Sequence, residues 1–288
     1  MKRRLLLTLF LLVAARAMTV AQTGGGTLQL VSGDAQLAWN READGWHIRS
    51  VDVAGKPLGQ PSGAYTLLYI NRHAAGNLVD MDLEGTDFTF YAGEGAREPD
   101  GSLVFRGACR VAELEARWEA DPAYPGDFRV RVTVTARQKG SFAISTPTLT
   151  AIDSKNDLDW GMIPGNWYGH EVQKDFTLAT HYSQGVPAIP YLAKERNTMT
   201  LCPLVTTREK VTLAVIPDPG TAQDPWEKDV NTREGNKLAM SLMNRHNQLT
   251  PTAYSPVLGQ KGSFLSPGDK VSFSFRYSLR ATDWWPVF

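Results

Sequence analysis

Cysteine is almost missing from this chain: Cys109 and Cys202 are the only two. That excludes a small secreted fold stapled by several disulfides. Two cysteines in an exported chain either join or stand as buried thiols in strands, and the sequence leaves both readings open. Excess charge of either sign is also absent, with 30 Lys and Arg against 30 Asp and Glu. A chain without a basic surplus cannot neutralise a run of phosphates, so nucleic acid is not expected as a partner. The five histidines (His47, His73, His170, His181 and His246) lack His-x-His and His-Glu-x-x-His spacing, and no metal is expected. No Gly-x-Ser-x-Gly elbow, Walker loop or dinucleotide fingerprint is present, so no cofactor is expected and no residue is assigned a catalytic role. Internal repeats, low-complexity tracts and an interdomain linker are missing too.

Long apolar runs are confined to the N-terminus. Lys2, Arg3 and Arg4 precede the run Leu5 to Ala15, which is too short to span a bilayer as a helix and has the length of a signal-peptide core. Ala15-Arg16-Ala17 and, more loosely, Thr19-Val20-Ala21 offer small-residue cleavage sites. Arg16 sits awkwardly at a peptidase site, so cleavage is expected after Ala21, leaving Gln22 as the new N-terminus. An uncleaved anchor is the competing reading. With cleavage, residues 1–21 are a leader and the mature chain is secreted or periplasmic, with the cell surface as a further destination, and does not span a membrane.

What remains is rich in strands. Hydrophobic residues make up 42% of the chain and charged residues 21%, a balance that argues against disorder. Phe128, Val130, Val132, Val134 and Ala136 alternate with Arg129, Arg131, Thr133 and Thr135. Val271, Phe273, Phe275, Tyr277 and Leu279 repeat the pattern, as do Ala112, Leu114, Ala116 and Trp118. Successive side chains of a strand point to opposite faces, so each segment has one buried and one wet face. Less regular strands are expected at 27–31, 35–40, 46–53, 64–70, 87–91, 102–106, 141–152, 197–206, 210–216 and 237–243. Ala43-Asp44-Gly45 and Pro99-Asp100-Gly101 supply hairpin turns, and Pro125-Gly126 and Pro267-Gly268 supply Pro-Gly turns. The expected class is all-β, an antiparallel β-supersandwich with long irregular aromatic-rich loops.

Those loops are expected at 153–193 and 217–236, where alternation fails. The first contains Trp160, Asn166, Trp167, Tyr168, His170 and Glu171. Aromatic faces stack on the C–H faces of sugar rings, and Asn, His and carboxylates bond hydroxyls, so these six residues are the candidate saccharide-binding set. A loop pinned down by its own aromatics is the competing reading. Pairs such as Asp157 with Asp159 or Glu171 with Asp175 carry little weight among so many carboxylates. His170 with His181 is a weak candidate for a proton shuttle. Trp226 in the second stretch reads best as cover for a sheet edge.

The chain ends Thr282-Asp283-Trp284-Trp285-Pro286-Val287-Phe288, an aromatic terminus that would expose apolar surface unless it docks on something. A leader, a sandwich of this length, Ile163-Pro164-Gly165-Asn166-Trp167-Tyr168-Gly169, the closing strand Val271–Arg280 and Thr282-Asp283-Trp284-Trp285-Pro286 together resemble the N-terminal, galactose-mutarotase-like β-supersandwich domain of a six-hairpin (α/α)6-toroid glycosidase or related carbohydrate-active enzyme. In such enzymes the catalytic carboxylates lie on the helical toroid, so no catalytic residue carries over. The resemblance implies a sandwich domain over 22–280, a linker beginning at 281–288, and a further C-terminal helical domain as partner. It implies an accessory domain of an exported glycan-processing enzyme, hydrolase or lyase, that binds carbohydrate and packs against its neighbour. A stand-alone sugar epimerase using His and Glu, and a glycan-binding surface protein without an enzyme partner, are the alternatives.

Overall fold

A computed structural model describes residues 26–74, 85–153, 157–182, 184–195, 198–218, 236–260 and 262–288. The leader, its cleavage sites and Trp226 lie outside the described residues. The alternating segments form the centre of the architecture. Asp127–Ala136 pairs antiparallel with Ala112–Ala120 on one side and Lys270–Arg280 on the other. The register sets Val130 beside both Trp118 and Phe275, and Val132 beside Ala116 and Phe273. Three strands therefore present one continuous apolar face, with Arg129, Arg131 and Thr133 on the other.

This triplet is the middle of a nine-stranded sheet. From one edge its order is Trp167–Gly169, Leu158–Ile163, Leu204–Thr207, Thr212–Pro217, Lys270–Arg280, Asp127–Ala136, Ala112–Ala120, Leu103–Ala108 and Glu94–Arg97. Every neighbouring pair is antiparallel. Smaller sheets supply the facing layer: Thr27–Ser32 to Lys56–Pro57, a sheet centred on Tyr65–Ile70 and Gly140–Ile144, and a three-stranded sheet containing Ala239–Met243 and Leu249–Tyr254. Bridges Gln60–Ala151, Ser145–Tyr254 and Ile152–Leu249 tie these sheets together. Their inward side chains join those of the large sheet in one core cluster. Trp118 marks the contact between layers. It is fully buried, edge-on to Trp39 at 5.3 Å, and its indole N–H donates to the Tyr65 hydroxyl at 3.4 Å. The fold is all-β and sandwich-like, as the alternation required.

Turn chemistry agrees as well. Asp127 N–H donates to the Tyr124 carbonyl and Asp269 N–H to that of Ser266, closing turns over Pro125-Gly126 and Pro267-Gly268. Gly126 has φ 89° and Gly268 φ 91°, the conformation that the third position of a type II turn demands and that only glycine adopts without strain.

The expectation of one long irregular loop over 153–193 needs correction. Leu158–Ile163 and Trp167–Gly169 are strands of the large sheet, and Phe176–Tyr182 is a short helix. Alternation fails there because the pairing with Leu204–Thr207 shifts register between Leu158 and Trp160. Such a bulge moves the following side chains to the other face and erases the period. The helix is capped by Asp175, whose Oδ1 accepts from the N–H groups of Thr177 and Leu178 at 2.9 and 3.2 Å. Cys109 and Cys202 are unpaired, so the disulfide reading falls.

Candidate functional site

The hairpin joining Leu158–Ile163 to Trp167–Gly169 determines which of the six candidate residues face solvent. Pro164-Gly165 closes it: Asn166 N–H donates to the Ile163 carbonyl at 2.9 Å and Gly165 has φ 84°. Ile163 pairs with Trp167 and Met162 with Tyr168. Ile163 and Trp167 point into the sandwich, where Trp167 is only 4% exposed and lies edge-on to Tyr191 at 4.8 Å. Trp160, Met162 and Tyr168 point to the opposite face.

On that outer face the aromatics form a stack. The Trp160 ring lies between Tyr168, at 6.0 Å and 24°, and Trp284, at 5.4 Å and 15°. Trp284 and Val287 pack with Trp160 over an apolar patch of Met162, Cys202, Leu204 and Ala214. Tyr168 keeps 48% of its surface exposed. Of the terminal aromatics, expected to expose apolar surface unless they dock, Trp284 docks on its own sheet. Trp285 and Phe288 do remain exposed, at 69% and 54%.

His170 closes the stack edge-on to Trp160 at 4.8 Å. Its Nδ1 lies 2.5 Å from the Asp159 carbonyl oxygen. A carbonyl only accepts, so Nδ1 carries a proton and donates it to Asp159. Below it, Lys210 Nζ donates to Asp159 Oδ2 at 2.6 Å and Asp283 Oδ2 at 3.2 Å. These carboxylates push the ammonium above its ordinary range, and the Trp284 N–H and Lys210 hold Asp283 below the usual carboxylate range.

Beside His170 a cleft of about 610 Å³ opens. Val172, Ala188 and Met243 give it apolar walls, and Glu171, Lys174, Arg208, Asn247 and His170 give it polar ones. Lys174 follows the hairpin in sequence, and Arg208 reaches it because Leu158 pairs with Thr207 and the Arg208 N–H donates to the Asp157 carbonyl at 2.7 Å.

The candidate set thus divides. Trp160, Tyr168 and His170 form one surface, and Glu171 lines the cleft that begins there. Asn166 sits in the hairpin turn, at the far end of the short strand from His170. Trp167 is a core residue and is withdrawn as a sugar platform. The carboxylate pairs dissolve too: Asp159 is paired with Lys210 and Asp175 caps the helix. His181 lies on the helix against Thr180 and not in the cleft lining. Lys174 and Arg208 were missed as site residues, Arg208 because only the pairing of Leu158 with Thr207 brings it to the hairpin, and Trp284 was singled out as a terminal aromatic but not placed at this site. One group of metal-ligand type occurs among the described residues, Glu42, Asp44 and His47, in an exposed hairpin turn remote in sequence from this site.

No protein-family model matches the chain, and no curated protein matches it. Among solved structures it is similar in sheet architecture to galactose-mutarotase-related and glycan-processing enzymes. A GalM/aldose epimerase homologue from C. elegans aligns at 9% identity and TM-score 0.46, over 90% of this chain and 100% of that one. The alpha-N-acetylgalactosaminidase NagBb from Bifidobacterium bifidum aligns at 10% and 0.45, over 89% of this chain and 36% of the enzyme. A polysaccharide lyase aligns at 10% and 0.38, over 88% of this chain and 34% of the lyase. The chain spans about a third of the length of the lyase and of the galactosaminidase. Likeness at these scores assigns no reaction to this chain.

Proposed function

We propose that the chain is a glycan-binding β-sandwich domain of an exported glycan-processing enzyme, and that its sugar-contacting surface is the Tyr168 face together with the adjoining cleft at His170 and Glu171. The observation that supports this most directly is the exposed Tyr168 ring, backed by Trp160 and Trp284 so that it presents a rigid flat face. A pyranose stacked on it places its hydroxyls towards polar groups of the cleft. Apolar walls with a few convergent polar groups are what small-ligand sites are made of. The role is accessory: Asp159 is held by Lys210 and Asp175 caps the helix, which leaves Glu171 as the one carboxylate of the cleft lining and no carboxylate pair there. Packing against a further C-terminal domain, and export through cleavage before Gln22, belong to the same proposal.

The test combines a glycan array with titration calorimetry on the secreted protein. Binding of one glycan class with no hydrolysis, elimination or anomeric exchange supports the proposal. Turnover by the isolated chain overturns its accessory part, and an array without hits overturns the binding part. Mass analysis of exported material should begin at Gln22; retention of Met1 removes the leader.

A further inference from the structure

Most guanidinium groups of the large sheet are matched by carboxylates. Arg106 pairs with Glu115, Arg117 with Glu119, Arg137 with Glu113 and Arg129 with Asp121. Lys210, next to the aromatic stack, is matched by two carboxylates. Lys174 and Arg208 break this pattern. Both are exposed and line the same cleft, and among the described residues neither cationic head has a carboxylate partner. Glu171 is the one carboxylate in the lining, and it does not pair with either of them.

With Glu171 as the one carboxylate of the lining, a neutral sugar leaves the cleft with an excess of positive charge. A carboxylate or sulfate ester accepts charge-assisted hydrogen bonds from both, with the planar guanidinium able to hold two acceptor oxygens at once. Val172 and Met243 supply the apolar wall against which a ring face rests, and about 610 Å³ accommodates a sugar unit with its acidic substituent. We infer that the cleft binds an acidic saccharide, with Arg208 and Lys174 holding a uronate carboxylate or a sulfate ester and the ring directed towards His170 and Tyr168. This rests on the glycan-binding reading above and narrows it to a chemical class.

The experiment titrates the full secreted chain with three probes: a galacturonate trisaccharide, its carboxyl-reduced counterpart, and a sulfated galactose trisaccharide. At low salt at least one acidic probe binds about tenfold or more tighter than the reduced one, and the advantage shrinks in 0.5 M NaCl. R208Q lowers affinity for that acidic probe by about tenfold more than it lowers affinity for the reduced one, and K174Q has a smaller effect of the same kind. Whichever of the uronate and the sulfate is preferred identifies the source of the charge. Both side chains are exposed, so the thermal midpoint of each variant reports directly on intact folding. Equal binding of acidic and reduced probes, with R208Q silent, overturns the acidic class while the glycan-binding domain stands. No binding of any probe, together with an empty glycan array, overturns both.

Discussion

The indole of Trp284 lies parallel to that of Trp160, ring centroids 5.4 Å apart with 15° between the planes. Residues 124 positions apart in sequence are thereby joined on the outer face of the large sheet, and Lys210 ties the same elements a second time by bonding Asp159 and Asp283. The C-terminal segment is a lid on Met162, Cys202, Leu204 and Ala214, and it gives Trp160 the backing that holds Tyr168 in place. Stack, ion pair and apolar patch act on the same contact.

Trp160→Ala, Trp284→Ala and the double variant form a cycle that measures this contact. Each single change is expected to destabilise the protein, and the coupling between them to be about 0.5–1.5 kcal/mol, the worth of an aromatic pair beyond buried area. Urea denaturation checks it. Additive effects would mean that the rings lie together without stabilising one another.

Adjacent aromatics should behave in opposite ways. Tyr168→Ala removes an exposed ring, so glycan affinity should fall by roughly 1 kcal/mol while the thermal midpoint barely moves. Trp167→Ala removes a ring that is 4% exposed, and should cost about 3–5 kcal/mol of stability. Melting curves and calorimetric titrations of the two variants decide it. Equal stability loss in both would show that Tyr168 is packing and not platform.

The sandwich was legible in the sequence because Asp127–Ala136, Ala112–Ala120 and Lys270–Arg280 each have one dry face, and burial acts on period-two patterns directly. The hairpin at Pro164-Gly165 carried the same signature as Pro125-Gly126 and Pro267-Gly268. Its flanks resemble loop in the sequence because the bulge after Leu158 breaks the alternation. The inward turn of Trp167 follows from register, which a one-residue shift reverses and composition does not encode. The acidic cap Asp175 was a usable signal for the helix that follows it. Lys174 is a near neighbour of His170 in sequence, but the arrival of Arg208 beside them had no local signal, since it depends on Leu158 pairing with the distant Thr207.

Stability in acid should depend on Asp121. Its carboxylate is fully buried and accepts from Arg129 Nε at 2.8 Å, with the Ala123 N–H on its other oxygen. The Arg129 hydrogen bond outweighs the opposing effect of burial and brings Asp121 down to about 2. A carboxyl lowered in the folded state stabilises above its unfolded pKa, near 4, and loses that contribution as pH falls from about 4 towards 2. Because the Arg129 partner is half-exposed and its charge is screened by solvent, the contribution is on the order of 1 kcal/mol. Unfolding free energies of the wild type should therefore drop across that window, and those of Asp121→Asn should start lower and drop less. Parallel curves would assign the acid sensitivity to other carboxylates.

Cys202 reports on the C-terminal lid. It is 7% exposed within the patch that Trp284 and Val287 cover, and burial pushes its thiol up to about 12. Thiolate is the reactive form, so at pH 8 a thiol raised by burial offers far less of it to an alkylating agent than an ordinary cysteine does. In the native protein, maleimide labelling followed by peptide mass analysis should therefore find Cys202 unmodified, while half-buried Cys109 is the site that reacts. Both should react in denaturant, which also confirms that no disulfide joins them. Trp284→Ala opens the lid without touching the sheet beneath, and should raise the Cys202 labelling rate by an order of magnitude or more while Cys109 keeps its rate. If Cys202 reacts as fast in the intact chain as in the variant, the C-terminal segment does not stay docked in solution, and the platform beneath Tyr168 loses its backing.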